Sequence, residues 1–199
     1  MLATLTGLGL STAAGLNAYI PLLVVGLAAN FTDAVRLPEG YAWLAEWPVL
    51  LIIGVLLLAE LVLDKVPVVD HVNDIIQTAV RPAAGGVVFS ATAAAAELEG
   101  SAWMADHPWV GWLLGIALAL VVHLMKAAAR PVVNATTAGV GAPVVSTVED
   151  AGSIGISLIA LFLPVLVIVV LLLFAVAACW VIRAVRRRRR IARATRGGP

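Results

Sequence analysis

Residues 60–82 of this chain read ELVLDKVPVVDHVNDIIQTAVRP and lie between two apolar runs. Glu60, Asp64, Asp70 and Asp74 fall there, with Lys65, His71 and Arg81 among them. A charged, proline-broken segment in that setting is either a solvated loop or the lining of a site. Its surroundings narrow the choice of fold. Hydrophobic residues make up 62% of the chain and charged ones 13%, against roughly 45–50% and about 25% in soluble domains. A soluble fold of 199 residues cannot hide that much apolar surface, whereas lipid solvates it directly. The expected fold class is an all-α integral membrane protein. One cysteine, Cys179, excludes an intramolecular disulfide and any cysteine-based metal cluster.

The apolar runs predict six transmembrane segments, some short or broken. Residues 2–29 lack the basic start of a secretory signal and read as a retained first span, which Pro21 bends or interrupts. Residues 30–47 form a polar loop with Trp43 and Trp47 as interfacial anchors. Residues 48–63 are short for a hydrocarbon core of roughly 30 Å, so that helix begins earlier or continues past Glu60. The third span, 82–96, is also short, and its helix is expected to start upstream, near Val72. Residues 109–125 are the fourth span, 126–130 turn the chain, and 132–148 are a fifth, closed by Glu149 and Asp150. Residues 154–182 are the longest run, kinked at Pro164. Residues 1–182 thus read as one transmembrane domain and 183–199 as an arginine-rich tail.

Loop charge orients this layout. Loops 31–47, 97–108 and 149–153 carry one basic residue, Arg36, while Lys65, Arg81, Lys126, Arg130 and the arginine run fall on the other side. By the positive-inside rule both termini are cytoplasmic. A 61-residue shift pairs Lys65 with Lys126, Asn73 with Asn134 and Pro82 with Pro143. That suggests a parallel internal repeat over about 48–96 and 109–150.

Three blocks carry a family resemblance: GLSTAAGLNAYIPLLVVGLAA, ELVLDKVPVVDHVND followed by RPAAGG, and VNATTAGVGAPVVSTVEDAGS. They resemble the signatures of one family of uncharacterised bacterial multi-pass membrane proteins, domain of unknown function 4126. The likeness touches most of residues 7–155 and leaves out the arginine tail. It implies an integral protein of the bacterial cytoplasmic (inner) membrane and brings no activity with it.

On a helix Asp70, His71 and Asp74 can share a face, and Pro67 can start that helix. The segment is then either an amphipathic cytoplasmic turn or a re-entrant, pore-lining stretch, since buried carboxylates in a membrane mark ion paths. A metal site at Asp70, His71 and Asp74 is the weaker alternative, because that spacing is common without metal. Glu60 is a carboxylate at the interface or pairs inward with Lys65, His123 or Arg81. Asn17 and Asn134 serve helix packing or contact a cation or substrate. Residues 132–148, with Gly139, Gly141 and Pro143, have the composition of a discontinuous membrane helix.

No nucleophile elbow, phosphate loop, HExxH or dinucleotide fingerprint occurs. An enzyme is not expected, nor a cofactor or a metal. The arginine run reads as an anchor on anionic lipid and not as a nucleic-acid surface. Two functions remain: a small transporter or channel for an ion or small polar solute, and a non-transporting membrane scaffold or assembly protein. Either is compatible with a homo-oligomer. The candidate path comprises Asn17, Glu60, Asp64, Lys65, Asp70, His71, Asp74, Arg81, His123 and Asn134.

Overall fold

A computed structural model describes residues 2–32, 35–64, 67–97, 107–137 and 141–196. Within them, the side chains of 67–72, 74, 93–97, 108, 131–132, 134–136, 181–182 and 184–196 are not described. Among the described residues the regular secondary structure is all helical, with no strand. In chain order the helices are α1 (Leu2–Leu16), α2 (Tyr19–Phe31), a 3₁₀ segment (Glu39–Ala45), α3 (Trp47–Leu63) and α4 (Pro67–Glu97). Then come α5 (Pro108–Thr137), α6 (Gly141–Phe162), a 3₁₀ turn (Pro164–Leu166) and α7 (Val167–Arg196). Trp109–Arg130 and Gly141–Phe162 are each long and apolar enough to cross a membrane. Glu39–Ala45 with α3 makes a third candidate if that pair, bent by 59°, is counted as one span.

Prolines set several of these boundaries. Pro48 lies in the first turn of α3, and Pro67 opens α4, where a missing N–H has no helical partner to lose. Pro82 lies inside α4 without ending it. Pro164 does end a helix: Leu163 leaves helical geometry at φ −137, ψ 54, and α6 stops at Phe162. The long apolar run 154–182 is therefore divided between two helices.

The first apolar run is not one crossing. α1 and α2 fold back on each other about Asn17–Ala18. Leu10 in α1 and Val25 in α2 share one buried cluster with Val88, Ala160 and Val167. Were residues 10–25 a single rod, those two side chains would stand roughly 22 Å apart, at 1.5 Å per residue. Each helix alone, of 15 and 13 residues, is shorter than the ~20 residues that a crossing requires. α1 lies at the centre, packed on α4, α5 and α6.

Three further sequence expectations are corrected. Lys126–Arg130 do not turn the chain; they are helical residues inside α5. Glu149 and Asp150 do not lie in a loop; α6 runs through them. The 61-residue repeat is not expressed, because α3 ends at Leu63 and α4 begins at Pro67, whereas their counterparts Leu124 and Ala128 both lie inside α5.

Polar residues point inward. On α4, Asn73, Gln77 and Arg81 are buried while Ile75 and Ile76 are exposed. On α6, Ser146, Asp150, Ser153 and Ser157 are buried while Val144, Val148, Ile154, Leu158 and Phe162 are exposed. Both stripes repeat at helical spacing, with the apolar face outward, the reverse of a soluble bundle. At one end Trp47 and Trp109 are exposed, Phe31 meets Trp47 edge-on at 6.0 Å, and Trp112 donates to the Tyr41 hydroxyl at 3.2 Å. This is the composition of an interfacial aromatic belt.

Small residues let the inner helices approach closely. A Cβ on Gly85 would stand 2.5 Å from Ala119 Cβ and 2.7 Å from the Gly115 carbonyl oxygen. Gly85→Ala should therefore cost about 1–3 kcal/mol, as overpacking does. At Gly54, by contrast, an added Cβ would meet nothing within 4 Å, so Ala should be accepted at no cost, being the better helix former. Equal melting temperatures for the two variants in detergent would refute the close α4–α5 contact.

Candidate functional site

Four helices and the α1–α2 break bring charged groups to one buried place. Glu60 occupies the last turn of α3 and Asp64 follows as its C-cap. Arg81 comes from α4, Lys126 and Arg130 from successive turns of α5, and Glu149 and Asp150 from α6. Arg81 is fully buried, Glu60 and Asp64 are each 2% exposed, and Lys126 and Arg130 are 6% and 8% exposed.

Asp64 is the hub. Its Oδ2 lies 3.3 Å from Arg130, 3.7 Å from Lys126 and 3.9 Å from Arg81, and its Oδ1 accepts from Asn73 Nδ2 at 2.6 Å. Arg81 donates to Glu60 Oε1 at 2.7 Å. Glu149 ties the two α5 cations together, at 2.8 Å from Lys126 and 3.2 Å from Arg130.

The helix break explains why cations gather here. Ending α1 at Leu16 frees carbonyls that no helical N–H can reach, at the negative end of the helix dipole. Lys126 Nζ donates to the Leu16 carbonyl at 3.2 Å, and Arg81 reaches that of Gly15 at 3.4 Å. Asn17 serves the other side of the break. Its Oδ1 accepts from the N–H groups of Tyr19 and Ile20, the role of an N-cap, while its Nδ2 donates to Asp150 Oδ1 at 2.9 Å. Ser153 fastens α6 to the same turn through the Ala13 carbonyl, at 3.0 Å.

His123 extends the network toward the surface. Its Nδ1 lies 3.4 Å from Arg81 NH1 and its Nε2 lies 2.9 Å from Thr78 Oγ1. A guanidinium can only donate, so Nδ1 accepts and the ring proton sits on Nε2, toward exposed Thr78.

Buried ion pairs seldom stabilise a fold relative to apolar packing, because each desolvated ion costs several kcal/mol before its partner compensates. Ionisable residues within a membrane are accordingly associated with function. Such an arrangement can hold a small charged or polar species, exchange protons, or switch between pairings when one partner moves.

Of the sequence candidates, Asn17, Glu60, Asp64, Arg81 and His123 are brought together. Lys65 lies outside the described residues, as do the side chains of Asp70, His71, Asp74 and Asn134, so neither the pairing of Glu60 with Lys65 nor a shared Asp70–His71–Asp74 face is described. Sequence reasoning missed Lys126, Arg130, Glu149 and Asp150 as site residues, having assigned them to a turn and a loop. One signal was available. Ser146, Asp150, Ser153 and Ser157 form a polar stripe at helical spacing within an otherwise apolar run.

Fold and site together define an all-helical protein with two or three apolar helices able to cross a membrane, closed around a buried ionic network. The chain belongs to the family described as a domain of unknown function, DUF4126, which matches residues 4–184. No curated protein and no solved structure matches it.

Proposed function

We propose that this is a polytopic protein of the bacterial cytoplasmic membrane that passes an ion or a small polar solute, with the network at the α1–α2 turn as its path. One observation carries this reading: a re-entrant-type helical hairpin places its broken turn against a buried cluster of paired charges. Broken helices that offer their ends to a polar site at membrane depth are a recurring device of transporters. Irregular backbone at that depth is tolerated only where protein buries it or it lines a cavity.

The same reading revises the membrane layout. α1–α2 enters and leaves on the side of the aromatic belt, and α3 to α7 make five crossings in place of the six expected. The arginine run is cytoplasmic, held on anionic lipid at about 1 kcal/mol per basic residue near the surface. The amino terminus is then on the opposite face. Arg81, Lys126 and Arg130 no longer bear on orientation, because they are buried against carboxylates.

Thiol labelling tests this. Ala18→Cys, in a Cys179→Ala background, should react with a small water-soluble reagent from the cytoplasmic side of membrane vesicles. Leu10→Cys, in the apolar cluster, should not react. Failure of Ala18→Cys to react from either side would favour a sealed, non-transporting scaffold.

A further inference from the structure

The Arg81–Glu60 pair is joined by one bond where its chemistry allows two. One edge of a guanidinium carries two parallel N–H donors and a carboxylate carries two acceptors, so such a pair can close as a double-bonded fork. Here Arg81 Nη2 meets Glu60 Oε1 at 2.7 Å. The neighbouring atoms of the same two groups, Arg81 Nε and Glu60 Oε2, are both buried and have no hydrogen-bond partner among the described residues. Arg81 is fully buried and Glu60 is 2% exposed, so neither atom is open to bulk solvent.

The rest of the site keeps this fork open. Arg81 Nη1 is engaged by the Gly15 carbonyl and by His123 Nδ1, each at 3.4 Å. Nη2 also stands 3.9 Å from a second carboxylate, that of Asp64. Turning the guanidinium to bring Nε onto Oε2 would break these contacts. The two orphan atoms then specify what can lie between them. Nε–H can only donate. Oε1 stands from Arg81 at the distance of a charge-assisted N⁺–H···O⁻ bond, so Glu60 is a carboxylate and its Oε2 can only accept. A metal cation at Oε2 would confront the guanidinium and leave Nε–H unanswered. An anion at Nε would confront the carboxylates of Glu60 and Asp64. A neutral hydroxyl group accepts from one atom and donates to the other. Water is the smallest species that carries one, and buried waters ordinarily bridge otherwise unsatisfied polar groups.

We propose that Arg81 Nε and Glu60 Oε2 form a binding site for a neutral hydroxyl group, held by water in the resting protein, and that the network passes neutral hydroxylic solutes and not ions. A passing solute exchanges its own hydroxyl for that water, so both hydrogen bonds are remade while Arg81 keeps its bond to Glu60 Oε1. The solute class rests on the transport reading above; the hydroxyl site itself does not.

Nuclear magnetic resonance of the full chain in lipid nanodiscs tests the site, with heavy nitrogen in arginine and deuterium on carbon. The Nε–H signal of Arg81, assigned through its own backbone, should show a rotating-frame Overhauser contact at the water frequency, opposite in sign to proton exchange. An Arg81 Nε–H signal without that contact would overturn the proposal, because the fork would then be closed on Glu60 or answered elsewhere. Liposomes holding the purified chain test the solute class. Stopped-flow light scattering should give a water or glycerol permeability severalfold above that of empty liposomes, with sodium, potassium, chloride and proton fluxes at the empty-liposome level. Flux of any of these ions above that level would overturn the neutral assignment. The water contact in a protein that passes nothing would sustain the hydroxyl site and count against transport.

Discussion

Arg81→Met is expected to destabilise the protein by about 3–5 kcal/mol, the usual cost of removing one partner from a buried ion pair. Arg81 is fully buried and donates to Glu60 at 2.7 Å. It also stands 3.9 Å from Asp64 and reaches the freed Gly15 carbonyl at 3.4 Å. Methionine fills much of the same volume, so the cost is electrostatic: an unpaired carboxylate and an unanswered helix end. The loss should be coupled to Glu60. Adding Glu60→Gln to Arg81→Met should restore part of the stability, with a coupling energy of about 0.5–3 kcal/mol. Arg36, which is exposed, should tolerate Met within about 0.5 kcal/mol. Denaturant or thermal unfolding in detergent reads all five proteins: wild type, the three single variants including Glu60→Gln, and the double variant. An Arg81→Met protein as stable as Arg36→Met would mean that the network does not exist as described.

Much of this architecture is written locally. Pro67 opens α4 because proline suits a first helical turn, and the apolar run before Glu60 becomes α3 as expected. The weakness around Gly15, Asn17 and Pro21 is legible as a break. Its consequence is not: whether the chain bends or folds back depends on what Leu10 and Val25 meet, and their partners Val88, Ala160 and Val167 are remote in sequence.

The misread residues share one cause. Lys126, three alanines and Arg130 before Pro131 look like a membrane-edge turn if every charge is assumed to seek water. Alanine is the strongest helix former, and the two cations, one turn apart, face Asp64 and Glu149 on other helices. Pairing across helices is tertiary information. Glu149 and Asp150 read as a loop on the same assumption, although Ser146, Ser153 and Ser157 continue Asp150 as a buried helical stripe. The orientation argument inherited the error by counting Arg81, Lys126 and Arg130 as loop charges. Of the charged stretch that first suggested a site, Glu60, Asp64 and Arg81 enter the network.

The second large effect is on flux, and it bears on the central claim that the network is a path. Glu60→Gln and Asp150→Asn are near-isosteric and each removes one charge from the network. Removing one charge from a buried, hydrogen-bonded network costs about 2–5 kcal/mol, and about 1.4 kcal/mol is tenfold in a rate or an equilibrium. Either substitution should therefore reduce transport at least about tenfold. The measurement is flux of protons, monovalent ions and small polar solutes in liposomes holding the purified full chain, with both variants compared at matched thermal stability. The account predicts wild-type flux of at least one species well above that of empty liposomes, and its collapse in both variants. Wild-type flux equal to that of empty liposomes across the panel, or flux that neither substitution alters, would contradict it.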